Sequence, residues 1–229
     1  MTDLDYYKAA RRLMVSEQIE RRGIKNPRLL EVLRKVPRHL FVSTELKKKA
    51  YDDGPLPIGA GQTISQPFIV ALMTSLLRLE GDENVLEVGT GSGYQAAILG
   101  TLAKTVHTVE RHAGLAEQAR RVLSDLGIDN VFVHVADGSL GWPEAAPYQA
   151  IIVTAAAPKP PDPLLVQLDP KNGRLVIPVG SHPEQDLQVW RVENGRLDWD
   201  SIIPVAFVPL RGTHGWKEEE WQDRSDPPA

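Results

Sequence analysis

A chain of 229 residues, 42% hydrophobic and 24% charged, has the length of one domain or of one domain with an appended piece, and at that size roughly 70% of the unfolded surface is buried without staples. Cysteine is absent, which excludes disulfides, thiolate catalysis, iron–sulfur clusters and cysteine-based zinc sites. The net charge of −4 covers a basic start, because residues 1–54 carry 13 Lys and Arg against 8 Asp and Glu; the charges interleave, with Lys47-Lys48-Lys49 the only tight run, so a solvated helix face is expected rather than a nucleic-acid surface.

Residues 1–50 read as helical. From Pro27 to Val36, Leu29, Val32, Leu33 and Val36 keep the spacing of one helix face, Asn26-Pro27 is a natural start, and Pro37 forbids continuation. Residues 51–62 (YDDGPLPIGAGQ) read as a Gly- and Pro-rich loop. A helix over Pro67–Leu79 is followed by strand Asn84–Val88, helix Gly93–Leu102, strand Val106–Val109, helix Ala113–Leu126, and strands Val131–Val135 and Ala150–Val153. Short strands apolar on both faces, alternating with helices, predict a doubly wound Rossmann-like α/β domain with a mostly parallel central sheet. Beyond the Pro-rich PKPPDP connection come a short helix near Leu164–Leu168 and a strand Arg174–Pro178. Leu187–Val192 and Leu197–Val208 then flank Asn194-Gly195, a hairpin signal that ends the sheet in an antiparallel pair. The expected organisation is an N-terminal helical extension over 1–60 packed on the core, a catalytic domain over 61–216, and a loose acidic tail over 217–229. No apolar run nears the roughly 20 residues of a membrane helix, and the first residues, MTDLDYYKAARR, lack the apolar core of a signal peptide, so a cytoplasmic location is expected.

The segment Val85-Leu86-Glu87-Val88-Gly89-Thr90-Gly91-Ser92-Gly93 follows a buried strand and opens a helix, the context of a nucleotide-binding glycine loop. Its G-x-G-x-G spacing departs from the dinucleotide fingerprint. Glu87 before the loop would repel a pyrophosphate but suits an amino or sulfonium charge. Glu110 ends the next strand, where a carboxylate can receive both ribose hydroxyls, and Asp137-Gly138 ends the third, where one can receive an adenine amino group. Three carboxylates on one crevice favour S-adenosylmethionine over NAD. In Gln62-Thr63-Ile64-Ser65-Gln66-Pro67, Pro67 suits a first helical turn. Ser65 is then either a helix cap or a hydroxyl aimed at an anion near the free N–H groups, and the residues alone leave both open.

The segments EVGTGSGYQAAIL, TVER, YQAIIVTAAA and GRLVIPVG resemble the ordered motifs of the protein-L-isoaspartate O-methyltransferase family. GQTISQPFIVALM and VPLRGTHGW resemble signatures of that family rather than of methyltransferases at large. The likeness spans about residues 10–216; Gln149 stands where the family usually has Asp, at a position expected to face away from the chemistry.

The resemblance implies methylation of the free carboxylate of L-isoaspartyl and D-aspartyl residues in damaged proteins and peptides, starting repair through a succinimide, with S-adenosyl-L-homocysteine as by-product and no metal. It makes Ser65 the active-site residue. It places Thr63, Ile64, Gln66, Glu87, Gly89, Thr90, Gly91, Ser92, Gly93, Glu110, Arg111, Asp137, Gly138 and Thr213 at the cofactor. Thr63, Ser65, Leu210, Arg211 and Gly212 are expected at the substrate, with Val208–Thr213 acting as a lid. A monomer that binds neither nucleic acid nor membrane is expected; Trp142, Trp190, Trp199, Trp216 and Trp221 are too scattered for a stacking platform, and the six histidines show no metal-ligand spacing. The alternative is an enzyme of the same fold acting on another carboxylate or a small molecule.

Overall fold

The computed structural model describes residues 3–181 and 183–221. After helix α1 (Asp3–Leu13) and a wider-wound turn (Met14–Glu20), α2 (Pro27–Lys35) starts where Asn26 accepts the Leu29 N–H at 3.2 Å with Pro27 in its first turn, and it stops before Pro37. Two short 3-10 turns, Arg38–Phe41 and Thr44–Lys49, complete this segment. Residues 51–62 are not all loop. Strands β1 (Leu56–Gly59) and β2 (Gln62–Ile64) form a small antiparallel hairpin. Its turn places Ala60 and Gly61 at φ of +51° and +67°, the dihedrals a tight hairpin demands, through an Ala-Gly pair that carries none of the usual Asn-Gly signature.

The alternating region follows: α3 (Pro67–Leu77), β3 (Asn84–Val88), α4 (Tyr94–Leu102), β4 (Thr105–Glu110), α5 (Ala113–Asp125), β5 (Val131–Val135), β6 (Ala150–Val153) and α6 (Asp162–Val166). Then come β7 (Arg174–Ser181), β8 (Glu184–Glu193) and β9 (Arg196–Val205). Helix α3 ends two residues before the expected Leu79, because Arg78 turns left-handed (φ +55°). Helix α6 begins at Asp162 behind Pro161, and β9 stops at Val205, three residues short of Val208.

Strands β3 to β9 make one sheet in the order β5-β4-β3-β6-β7-β8-β9, parallel from β5 through β7, with β8 and β9 added antiparallel. Alternation along the central strands feeds two cores. Val85, Ala150, Ile152 and Val176 face the N-terminal segment and α3–α4, whereas Leu86, Val88, Ile151 and Val153 face α6 and Leu210. Chain order reverses between β3 and β6, so the loops after those strands part and leave a crevice at their carboxyl ends. The acidic tail reaches a short 3-10 turn at Glu218–Glu220; its last residues, 222–229, lie outside the described part. No described helix is long and apolar enough to cross a membrane.

Candidate active site

The crevice begins with the glycine loop. Gly89, Gly91 and Gly93 hold φ of +97°, +52° and +89°, where a side chain is strained. Space forbids one as well: a Cβ on Gly89 would lie 2.3 Å from Thr154 Oγ1, and one on Gly93 would lie 3.1 Å from the Ala119 Cβ of α5. Thr154, just past β6, donates its hydroxyl to the carbonyls of Gly89 (2.7 Å) and Val88 (3.1 Å), tying together the loops that part at the reversal. Glu110, at the end of β4, accepts the Gly91 N–H through Oε2 and the His112 N–H through Oε1, both at 2.9 Å. Each of its oxygens keeps lone-pair capacity for a further donor.

Along the crevice lie Thr63, Ile64, Gly89, Thr90, Gly91, Ser92 and Glu110, and it continues to Arg111 and Gly138. A second cleft, lined by Pro55, Ile69, Ala206 and Phe207, opens on its flank. Thr63, Ser65, Thr154 and Val208 line both. Ser65 is not a helix cap: Gln66 occupies that position, α3 has no side-chain cap, and the Ser65 hydroxyl makes no hydrogen bond among the described residues.

Several expected roles change. Glu87 is fully buried and does not line the crevice; it faces its β4 neighbour Thr108, whose hydroxyl donates to Oε2 at 2.5 Å and lies 2.6 Å from the Thr90 hydroxyl. Burial pushes its carboxyl up to about 8 against the pull of the Thr108 hydrogen bond, with the nearby Glu110 adding to the rise, so at neutral pH it is largely an uncharged acid rather than a counter-charge. Asp137 is not a free acceptor for adenine. Its Oδ1 accepts from the Ser139 N–H and hydroxyl (2.9 and 2.7 Å), and its Oδ2 from the Thr213 N–H and hydroxyl (2.8 and 2.9 Å). Partial burial alone would raise this carboxyl, but those four hydrogen bonds prevail and hold it below the usual range. Asp137 is thus the latch of the C-terminal loop, and Thr213 is engaged by it.

The substrate side changes in the same way. Leu210 and Arg211 lie along the first crevice beside Gly138 and Glu110, and the Arg211 guanidinium donates to the Trp216 carbonyl at 3.2 Å. Gly212, at φ +137°, packs so closely on Asp137 that a Cβ would fall 2.0 Å from Oδ1. The second cleft is walled instead by the preceding residues, 204–208. Gln66, expected at the cofactor, lines that cleft and not the first crevice, and its amide donates to Asp53 Oδ1 at 2.8 Å.

Sequence reasoning assigned no role to Thr154, Phe207, Tyr94 or Gln95. Thr154 had a usable signal, since it closes an all-apolar strand at the reversal of chain order; Phe207 had none. Gln149 lies at the far end of the sheet, receiving the Asn84 N–H at 2.8 Å. His107 and His134 pair at 3.0 Å on adjacent strands with Trp142 stacked on His134, away from the crevice. No described group of three or more His, Cys, Asp or Glu is placed to hold a metal ion.

The protein-L-isoaspartate(D-aspartate) O-methyltransferase family model matches residues 9–215. A protein-L-isoaspartate O-methyltransferase of Trichlorobacter lovleyi is 56% identical over 91% of this chain and 96% of its own. One of Geobacter metallireducens is 55% identical over 92% and 98%. Among solved structures, a protein-L-isoaspartate O-methyltransferase superposes with a TM-score of 0.81 at 26% identity, covering 89% of this chain and 67% of its own. A Plasmodium falciparum protein described as a beta-aspartate methyltransferase, in complex with S-adenosyl-L-homocysteine, gives 0.76 at 25% identity over 88% and 98%. A family model that spans nearly the whole chain, and relatives more than half identical along it, place the chain in the protein-L-isoaspartate(D-aspartate) O-methyltransferase family.

Proposed function

We propose that this chain methylates the free carboxylate of L-isoaspartyl residues, and of D-aspartyl residues, in damaged proteins and peptides. S-adenosylmethionine, when bound, supplies an electrophilic methyl group. The observation that carries the reading is the wall of Thr63, Ser65, Thr154 and Val208 shared by crevice and flanking cleft. The crevice fits the cofactor: the left-handed loop leaves Gly89 and Gly91 open to close approach, and Glu110, already fixed by two backbone N–H groups, can accept ribose hydroxyls. Thr63, Ile64, Thr90 and Ser92 line the crevice, which runs on to Arg111 and Gly138, and these residues would hold the rest of the cofactor.

An acceptor carboxylate with an ordinary pKa of about 3.9 is ionised at neutral pH, so no general base is required. The work left to the protein is alignment and exclusion of water, worth roughly 7–11 kcal/mol in favourable intramolecular systems. The Ser65 hydroxyl, which has no other partner among the described residues, donates to the acceptor and fixes its angle, and the 204–208 wall holds the peptide beside it. The ester then closes spontaneously to a succinimide that reopens in part to normal aspartate. Transfer of labelled methyl to an isoaspartyl peptide, with the matching aspartyl peptide as control, tests the reading. Base-labile label on the isoaspartyl peptide alone is expected; no transfer despite bound cofactor would move the activity to another acceptor.

A further inference from the structure

Behind the Ser65 wall stands a charge that the reaction as described does not use. Arg38, at the start of the 3-10 turn after Pro37, is completely buried. Its Nε donates to the Ala50 carbonyl at 2.7 Å, and its Nη2 donates to the carbonyl of Ser65 itself at 2.8 Å. The guanidinium carbon lies 5.0 Å from the ring centroid of Tyr94, which lines the cofactor crevice. Among the described residues the third nitrogen, Nη1, is buried with no partner, and Arg38 forms no ion pair. Burial lowers its pKa only to about 10, so the cation persists at neutral pH. A cation without a counter-ion in a poorly screening interior leaves the adjoining wall positive. The fork geometry that grips two carbonyls at once also fixes the backbone bearing the hydroxyl.

We propose that Arg38 is a positioning residue that determines acceptor specificity: it holds the Thr63–Gln66 segment through the Ser65 carbonyl, and its uncompensated charge makes the flanking cleft select a carboxylate over a neutral amide. This rests on the carboxyl-methylation reading above. It also adds a buried charge to the part the N-terminal segment takes in the flanking cleft, which Pro55 lines and where Asp53 accepts from Gln66.

The test compares wild type with Arg38→Gln and Arg38→Lys in methyl transfer to an isoaspartyl peptide. Calorimetric binding of S-adenosyl-L-homocysteine checks the fold and the cofactor side. Arg38→Gln is expected to raise the peptide KM about tenfold or more, by a larger factor than it lowers kcat, with the S-adenosyl-L-homocysteine Kd within about twofold; Arg38→Lys keeps the charge and holds KM within about threefold. An unchanged KM in a Gln variant that binds S-adenosyl-L-homocysteine overturns the proposal. So does a tenfold rise in a Lys variant that binds it, or a Kd that climbs with KM, which would assign the charge to the cofactor. Should neither variant fold, isoaspartyl and isoasparaginyl peptides are titrated into wild-type protein loaded with S-adenosyl-L-homocysteine: about tenfold weaker binding of the amide is expected, and equal binding overturns the idea. Wild type that binds the acid selectively yet transfers no methyl would refute the reaction and leave the selection by charge intact.

Discussion

Replacing Asp137 by Asn tests the latch. The change is isosteric, so no cavity opens, and the oxygen facing Ser139 can be kept. The other oxygen, which had accepted the Thr213 N–H and hydroxyl at 2.8 and 2.9 Å, becomes an NH2 group: the hydroxyl can turn to accept from it, but the Thr213 N–H is left facing another donor. Hydrogen bonds to charged groups contribute about 1.5–3 kcal/mol each. Because Asp137 is only half buried the low end applies, giving about 1.5 kcal/mol for the lost N–H bond. At about 1.4 kcal/mol per factor of ten, the loop's opening equilibrium shifts by about tenfold. Amide hydrogen exchange at Thr213 and His214 reads this directly, and should quicken by about that factor while amides of β3 and β6 keep their protection. S-adenosyl-L-homocysteine affinity should fall by no more than the loop's own factor. Unchanged exchange at Thr213, or a uniform loss of protection across the sheet, would refute the latch.

Ser65→Ala should lower kcat about tenfold or more and leave S-adenosyl-L-homocysteine affinity within about twofold; equal losses in both would show a structural role instead. Gly89→Ala forces a Cβ to 2.3 Å from Thr154 Oγ1 at a left-handed φ, so cofactor binding measured by calorimetry should weaken by an order of magnitude or more. Near-normal affinity would mean that the loop can rebuild around the methyl. For Glu87 the sign follows from a folded pKa of about 8 against an ordinary 4.5: the folded state holds the extra proton between those values, so this group's contribution to stability declines as pH rises through that window. Glu87→Gln should flatten the fall in unfolding free energy between pH 4.5 and 8 in denaturant titrations, and identical profiles would place the carboxyl in solvent.

The doubly wound core was legible because its strands are apolar on both faces. Asn84–Val88, Val131–Val135 and Ala150–Val153 carry the bounds expected of them, and the glycine loop announced the crevice. What escaped was contact between residues distant in the chain. Nothing local to Asp137 reveals a loop 76 positions away folding onto it. The direction of Glu87 escaped as well: alternation says that it opposes Val88, but not that its carboxyl meets Thr108 across the sheet instead of reaching the crevice. The β1–β2 hairpin was hidden by composition, since Ala60 takes a left-handed dihedral for which alanine carries no signal. Which cavity each part of the C-terminal stretch lines was hidden as well: residues 204–208 line the flanking cleft, whereas Leu210 and Arg211 lie along the crevice, a difference of a few residues that no local pattern marks.

The place of β9 has a consequence for tolerance. The cofactor crevice sits over β3 and β6 at the centre of the sheet, where neighbours on both sides and helices on both faces leave little freedom to yield. The flanking cleft takes its 204–208 wall from the end of β9 and the residues after it, and β9 is an edge strand whose first six residues are all exposed and which is paired along one side only. Edge strands breathe at lower energy than the interior. One molecule thus joins a rigid seat for a ligand of invariant shape to a compliant margin for partners that differ at every position around the damage, and it does so by where along a single sheet each is built.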